Sequence, residues 1–241
     1  LNATGINDLN PPMTTIAESK AELDKALSSH RAAGHRIGFV PTMGALHEGH
    51  LSLIRTACRF NDVVVVSIFV NPTQFNDPSD YRNYPRTRDK DLASLEAEHV
   101  GIAFMPDEAE MYPEGKHGLQ DFDPGYIAQV LEGKQRPGHF EGVAVIVKKL
   151  LEAVRPHYAY FGQKDYQQLL IVRALVNTYQ LPVQVVSTPI VRAPDGLAMS
   201  SRNVLLTEEE RGLVPVIYQT LSHFKEQLEE TFQPEAYTQQ G

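Results

Sequence analysis

The sequence predicts a doubly wound α/β fold, a parallel sheet covered by helices on both sides. Three observations predict it. The run Val63-Val64-Val65-Val66-Ser67-Ile68-Phe69-Val70 is apolar on both faces, and only the middle of a covered parallel sheet accepts such a strand without polar alternation. Short apolar runs alternate with segments of helical spacing from Ile37 to Val186. The first run, Ile37-Gly38-Phe39-Val40, passes through a glycine-containing loop into a helix that feeds the valine-rich strand, which makes a βαβ unit.

Taken in order, Ala17 to Ala33 reads as a helix, with Gly34 where a left-handed cap is wanted. The strand from Ile37 is expected to end at Pro41, and Pro41 to Gly49 to form a loop. Leu51, Leu53, Ile54, Ala57 and Cys58 recur at helical spacing, ahead of the strand that begins at Asp62. Downstream, helices are expected over 88–98, 142–154 and 165–179, and strands over 101–105, 158–161 and 183–186. In such sheets ligands sit at the carboxyl ends of the strands, so the loops after Val40, Val70 and Phe161 should share one cleft. Beyond Ile190 the character changes to a loop, 191–203, and then to an acidic helix opening at Thr207. Residues 13–190 therefore read as one domain and 191–241 as the start of a smaller one. Residues 1–12, polar and rich in turn formers, read as a tail or cloning remnant, and 233–241 as a frayed end.

The balance of 22 Lys and Arg against 30 Asp and Glu gives a net charge of −8 with no basic block, which argues against a nucleic-acid partner. One cysteine, Cys58, excludes an internal disulfide or a multi-cysteine metal centre and fits a cytoplasmic protein. No apolar run reaches the roughly 20 residues a membrane span requires.

Three motifs carry chemistry. His47-Glu48-Gly49-His50 sits between a buried strand and its helix, with Gly44 and Gly49 letting the backbone approach a ligand. Two imidazoles at a helix start, beside free N–H groups and the helix dipole, suit a triphosphate. Alone, the pair would equally pass for surface histidines, and a zinc site would need a third ligand. Gly162-Gln163-Lys164-Asp165-Tyr166-Gln167-Gln168 also joins a strand to a helix; Lys164 offers a point charge for phosphate and Asp165 a helix cap, or merely a solvated lysine and a cap. Met199-Ser200-Ser201-Arg202-Asn203, after Asp195-Gly196, places hydroxyls and a guanidinium on a flexible segment that could close over phosphates, or forms an ordinary polar linker. Strand, glycine loop, H-x-G-H and helix together resemble the nucleotidyltransferase superfamily, whose members act at the α-phosphorus of a nucleoside triphosphate.

With 41–50, Phe69 to Phe75, Arg136-Pro137-Gly138-His139-Phe140, 161–168 and 195–203 in order and spacing, the sequence resembles the pantothenate synthetase family from about Ile37 to Asn203. The resemblance implies an ATP-dependent ligase that activates the carboxylate of pantoate as an adenylate and passes the acyl group to β-alanine. It implies that Pro41, Thr42, Met43, Gly44, His47, Gly49 and His50 contact ATP, together with Gly162, Lys164, Asp165, Val191, Met199, Ser200, Ser201 and Arg202. Of these, His47, His50, Lys164, Ser200, Ser201 and Arg202 would stabilise phosphate charge in the reaction through positive charge and donors, Gly162 and Asp165 would meet the ribose, and Val191 and Met199 would flank adenine. Met43, Gln74 and Gln168 would hold pantoate, with Asn71, Tyr84, Arg136 and His139 in the same cleft. The family further implies Mg²⁺ held mainly by phosphate oxygens and water with no dedicated protein metal site, a homodimer, and a C-terminal lid of a few antiparallel strands. A chain ending before those strands is expected to bind ATP and pantoate but to lose adenylate to water. Two competing readings are a nucleotidyltransferase using a phosphorylated acceptor, disfavoured by Gln74 and Gln168 where Arg or Lys would be wanted, and a non-catalytic ATP-binding module.

Overall fold

The computed structural model of the chain describes residues 13–119 and 121–231; the expected tail over 1–12 and the end over 233–241 lie outside the described residues. The chain divides into two compact units, Leu1–Ile190 and Val191–Gly241. In the first unit the strands are β1 (Thr15–Ala17), β2 (Ile37–Thr42), β3 (Val63–Ile68), β4 (Ile102–Phe104), β5 (Tyr158–Gly162) and β6 (Gln184–Thr188). Its helices are α1 (Lys20–Ala32), α2 (Glu48–Phe60), α3 (Pro78–Asn83), α4 (Arg88–Ala97), α5 (Glu108–Met111), α6 (Leu131–Gln135), α7 (His139–Val154) and α8 (Tyr166–Thr178). The second unit holds α9 (Glu208–Leu213) and α10 (Pro215–Thr231).

All strand pairs are parallel, in the order β1-β4-β3-β2-β5-β6. Both faces are buried, which accounts for the unbroken apolar strands. Ile37, Phe39, Val63 and Val65 point into a core shared with α1, α7 and α8. Val40, Val64 and Val66 point into a second core with Leu53, Ile54 and Ala57 of α2 and Leu95 of α4. The doubly wound expectation is met.

The sequence expectations miss the short helices α3, α5 and α6, and four further differences have a physical reason. β1 escapes it: the strand is three residues long, at the sheet edge, and runs straight into a Ser19–Glu22 capping box that starts α1 at Lys20, so its signal merges with the helix. Pro41 lies inside β2, because the N–H it lacks faces β5 and not β3. Ile37, two pairs earlier in the alternation, accepts from His157 on the β5 side, whereas Thr42 O accepts from Phe69 N on the β3 side at 3.1 Å. α7 begins at His139, three residues before the expected Gly142, after Gly138 turns through φ +80°. The segment 191–203 is not a plain loop: Arg192 and Ala198 form an antiparallel bridge, Gly196 turns at φ +95°, and a 3₁₀ turn follows over Ser201–Leu205.

Pro41 has a consequence for the site. β2 and β5 pair only at Gly38↔Tyr158 and Phe39↔Ala159, although β2 runs on to Thr42 and β5 to Gly162. The two strands therefore separate toward their carboxyl ends. They are also where the chain order reverses, β2-β3-β4 winding one way and β5-β6 the other, which is the crevice such sheets use for ligands.

Candidate active site

Two loops flank this crevice, one after β2 and one after β5. The β2 loop turns through two consecutive left-handed residues, Gly44 at φ +81° and Ala45 at φ +49°. A left-handed alanine costs on the order of 1–2 kcal/mol, so the turn is held by its surroundings and not by its own preference. The residue that holds it is Asp91 of α4, whose carboxylate accepts from Ala45 N at 3.0 Å and Leu46 N at 2.8 Å. Asp91 is 1% exposed. Packing requires a glycine at Gly44: a Cβ there would meet Ile68 Cγ2 at 2.9 Å and Asp91 Oδ2 at 3.0 Å.

The loop delivers His47 to the N-cap of α2 in extended backbone, with His50 one turn on. Gly49 N–H donates to His47 Nδ1 at 3.1 Å, and His47 N–H donates to His50 Nδ1 at 3.4 Å. With each Nδ1 acting as acceptor, each neutral ring carries its proton on Nε2, so the pair presents two Nε2–H donors. The rings stack with centroids 4.0 Å apart and 30° between planes, an arrangement that two imidazolium ions would resist. Burial and the neighbouring Lys164 lower the pKa of His47, and burial, His47 and Lys164 push His50 down to about 3. Both are uncharged at neutral pH in the free protein, and what they supply is hydrogen bonds. Glu48 is turned away onto Arg55, which also holds Glu98 at 2.6 Å.

The β5 loop contributes Gly162 at the strand end and Lys164 and Asp165 in a 3₁₀ turn over Gln163–Asp165. Asp165 occupies the N-cap position of α8 without capping it; its carboxylate instead accepts from Lys164 Nζ at 3.1 Å. Lys164 acts electrostatically on both histidines and Asp165 on His47, so the structure brings these four residues together. Lys164 supplies the fixed cation of the cluster, with two neutral donors beside it. A bound polyphosphate would oppose the effect of Lys164 and draw both imidazole pKa values upward. The complex then holds more protons than the free protein between the two values, and affinity rises as pH falls through that window. We therefore expect net proton uptake when ATP binds below pH 6.5, the ordinary histidine value under which His47 is held in the free protein, read by calorimetry in buffers of different ionisation enthalpy. Equal heats in all buffers would contradict it.

A second cluster follows β3. A 3₁₀ turn over Pro72–Gln74, capped by Asn71, buries Gln74. Asn71 Nδ2 donates to Gln74 Oε1 at 3.1 Å and to Gly142 O at 3.2 Å, while Tyr112 Oη donates to Asn71 Oδ1 at 2.6 Å. Gln74 Nε2 meets Met43 Sδ at 3.0 Å. His139 Nδ1 lies 2.6 Å from Gln74 O, and Arg136 donates to the same oxygen at 3.3 Å while pairing with Glu132 at 2.6 Å. Met43, Asn71, Gln74, Arg136 and His139 thus stand together. Tyr84 is buried edge-on against Phe75, beside this turn. Gln168 lies half-buried in the first turn of α8. Gly142 lets α7 touch the turn, because a Cβ there would sit far inside contact distance of Thr73 O. Gly142→Ala is expected to lower stability by about 1–3 kcal/mol, measured by urea unfolding; an unchanged midpoint would contradict this packing.

In the second unit Met199 N donates to Val191 O at 2.9 Å, which sets the two expected adenine neighbours side by side. Ser200 accepts from Arg202 N at 3.3 Å as the cap of the 3₁₀ turn, and Ser201 is buried. Tyr218 packs under Arg192, at 3.8 Å from ring centre to guanidinium carbon, and against Gly196. The segment is braced, not the free flexible loop expected from its composition.

Asp91, Tyr112 and Gly142 escape sequence reasoning. Nothing local marks Asp91, since it sits among the charged residues 88–91 that read as a solvated helix start.

Comparison with known proteins supplies the family. A profile of the pantoate-beta-alanine ligase family matches residues 15–240. A pantothenate synthetase of Acinetobacter baumannii is 52% identical over 215 residues, 89% of this chain and 74% of that protein. One from Staphylococcus epidermidis is 49% identical over 209 residues, 87% of this chain and 72% of that protein. Among solved structures, a pantothenate synthetase from Thermus thermophilus superposes with a TM-score of 0.77 at 48% identity, over 86% of this chain and 72% of that one. A pantoate-beta-alanine ligase from Francisella tularensis, complexed with beta-gamma ATP and beta-alanine, superposes with a TM-score of 0.80 at 42% identity, over 87% of this chain and 79% of that one. No helix among the described residues is long and apolar enough to cross a membrane. With the crevice between β2 and β5, its paired histidines and lysine, and relatives this similar over most of its length, the chain belongs to the pantoate-beta-alanine ligase family.

Proposed function

We propose that the family's reaction, ATP-dependent condensation of pantoate with β-alanine to pantothenate, AMP and pyrophosphate, is carried by the two residue clusters of the first unit. The observation that carries this reading is the set of two Nε2–H donors and the Lys164 ammonium around the mouth of the β2–β5 crevice. In the first step a pantoate carboxylate oxygen forms a bond to the α-phosphorus of ATP, and the bond from that phosphorus to the bridging oxygen breaks, releasing pyrophosphate. Negative charge grows on the phosphoryl and departing oxygens. His47, His50 and Lys164 donate to them; the two imidazoles are fixed in place by backbone hydrogen bonds, so little reorganisation of them is needed as charge develops.

Met43, Gln74 and Gln168 hold pantoate, with Asn71, Tyr84, Arg136 and His139 shaping that end. Asn71, itself held by Tyr112, fixes the Gln74 side-chain amide, and His139 and Arg136 hold the Gln74 backbone carbonyl; the amide presents a neutral polar group for a substrate of hydroxyls and a carboxylate. In the second step the uncharged amine of β-alanine attacks the acyl carbon, the bond to the phosphate oxygen breaks, AMP leaves and the amine gives its proton to solvent. An acyl adenylate is already activated, so positioning and exclusion of water matter more than a base.

Several further assignments belong to the same proposal. Pro41, Thr42, Gly44 and Gly49 contact ATP along the β2 loop, and Gly162 and Asp165 meet its ribose. Val191 and Met199 flank adenine and Ser200, Ser201 and Arg202 add phosphate contacts, within a second unit that opens the family's lid. Mg²⁺ accompanies the triphosphate; among the described residues no three His, Cys, Asp or Glu side chains stand together to hold it, so phosphate oxygens and water would, and no step here runs through it. The functional species is a cytoplasmic homodimer.

Pantoate labelled with ¹⁸O in its carboxylate tests the first step. Label appearing in AMP when β-alanine is added supports attack at the α-phosphorus; label in inorganic phosphate with formation of ADP would overturn it.

A further inference from the structure

We infer that Asp91 is a positioning residue for the paired histidines, acting through the backbone that precedes them; this rests on the function proposed above. Each carboxylate oxygen of Asp91 is committed to the β2 loop. Oδ2 accepts from Ala45 N at 3.0 Å and Oδ1 from Leu46 N at 2.8 Å, and the hydroxyl of Thr87 donates to Oδ1 at 3.1 Å. Two successive N–H groups converging on one anion form a nest, a concavity that left-handed residues create. Gly44 and Ala45 supply that conformation. Among the described residues no Lys, Arg or His forms an ion pair with Asp91, so this buried charge is met by backbone N–H groups, the Thr87 hydroxyl and the N-terminal turn of α4.

The geometry explains why a buried carboxylate is worth keeping there. Without it, the Ala45 and Leu46 N–H groups lose the acceptor they share, and the left-handed turn shifts and rotates the chain entering α2. Leu46 is packed in the core, so the change is taken up at His47, the next residue. Both Nε2–H donors hang from that point, because His47 caps α2 and its own N–H fixes His50. Apart from Met43, which precedes the turn, the Gln74 cluster is built on the residues after β3 and at the start of α7, and none of them bonds to Asp91. Loss of Asp91 therefore disturbs the phosphate side of the crevice and leaves the pantoate side in place.

The test is steady-state pyrophosphate release by Asp91→Ala and Asp91→Asn, with ¹⁵N spectra of the histidine ring nitrogens. The expected result for Asp91→Ala is a fall in kcat of roughly 10–100-fold with a raised KM for ATP, a KM for pantoate within about twofold of the parent, and loss of the Nε2–H tautomer preference at His47 and His50. Asp91→Asn keeps one acceptor and should fall between. Thr87→Val, which removes only the hydroxyl bond to Asp91 Oδ1, should shift ATP kinetics in the same direction by a smaller factor, and it decides the matter if the Asp91 variants do not fold. Folded Asp91→Ala with parental ATP kinetics and unchanged tautomers would overturn the inference, as would equal losses toward ATP and pantoate or a Thr87→Val variant indistinguishable from the parent. A parent chain without pantoate-dependent pyrophosphate release would instead overturn the proposed function, so the two failures are told apart.

Discussion

Replacing His50 with alanine is expected to reduce pantoate-dependent pyrophosphate release by roughly 10²–10³-fold, the usual cost of removing one preorganised donor from a charge-developing site. The reason is geometric. His50 is held by the His47 N–H on one ring nitrogen and by stacking on the His47 ring, leaving Nε2–H as a fixed donor. Its pKa, near 3 in the free protein, keeps it neutral throughout the working range, so the loss should be one of hydrogen bonding and should change little between pH 6 and 8. Stopped-flow detection of pyrophosphate at saturating ATP separates a slowed chemical step from weaker binding. A variant whose rate stays within threefold of the parent would show that His50 does not meet the reacting phosphates.

The second large effect is expected at Gln74. Gln74→Leu keeps the volume but removes the acceptor of the Asn71 amide and the group that faces Met43. Leaving one buried polar partner unsatisfied costs about 1–3 kcal/mol, and losing a substrate hydrogen bond costs a similar amount. At about 1.4 kcal/mol per factor of ten, the KM for pantoate should rise roughly 10–100-fold while the KM for ATP stays within twofold. An unchanged pantoate KM in the folded variant would remove Gln74 from the substrate site. An equal rise for both substrates would mean that the two clusters are not independent.

The sheet is legible in the sequence because burial on both faces leaves a plain signature. No helix packed on one side only explains Val63 to Val66, so the doubly wound arrangement follows from that strand and the alternation around it. The crevice follows too, since H-x-G-H and the Lys164 motif each stand between a strand and a helix. What stays hidden is whatever depends on long-range pairing. β1 is three residues whose partner, β4, lies more than eighty residues later. Pro41 looks like a strand end because its missing donor is harmless only once one knows which neighbour it faces. Asp165 is a different case: it looks like a cap, and the 3₁₀ turn over Gln163–Asp165 gives its carboxylate to the neighbouring Lys164 instead. The charge state of the histidines cannot be read locally either: burial and the approach of Lys164 are properties of the folded site. Asp91 is the sharpest case, a residue with no motif of its own whose role appears only when α4 packs against the β2 loop.

The most direct measurement is pyrophosphate release from ATP with pantoate alone and then with β-alanine added, following AMP and the amide product. Pyrophosphate release should require pantoate, with AMP and amide appearing in equal amounts once β-alanine is present. Pyrophosphate release that is indifferent to pantoate, in a protein that calorimetry shows to bind ATP, would contradict it.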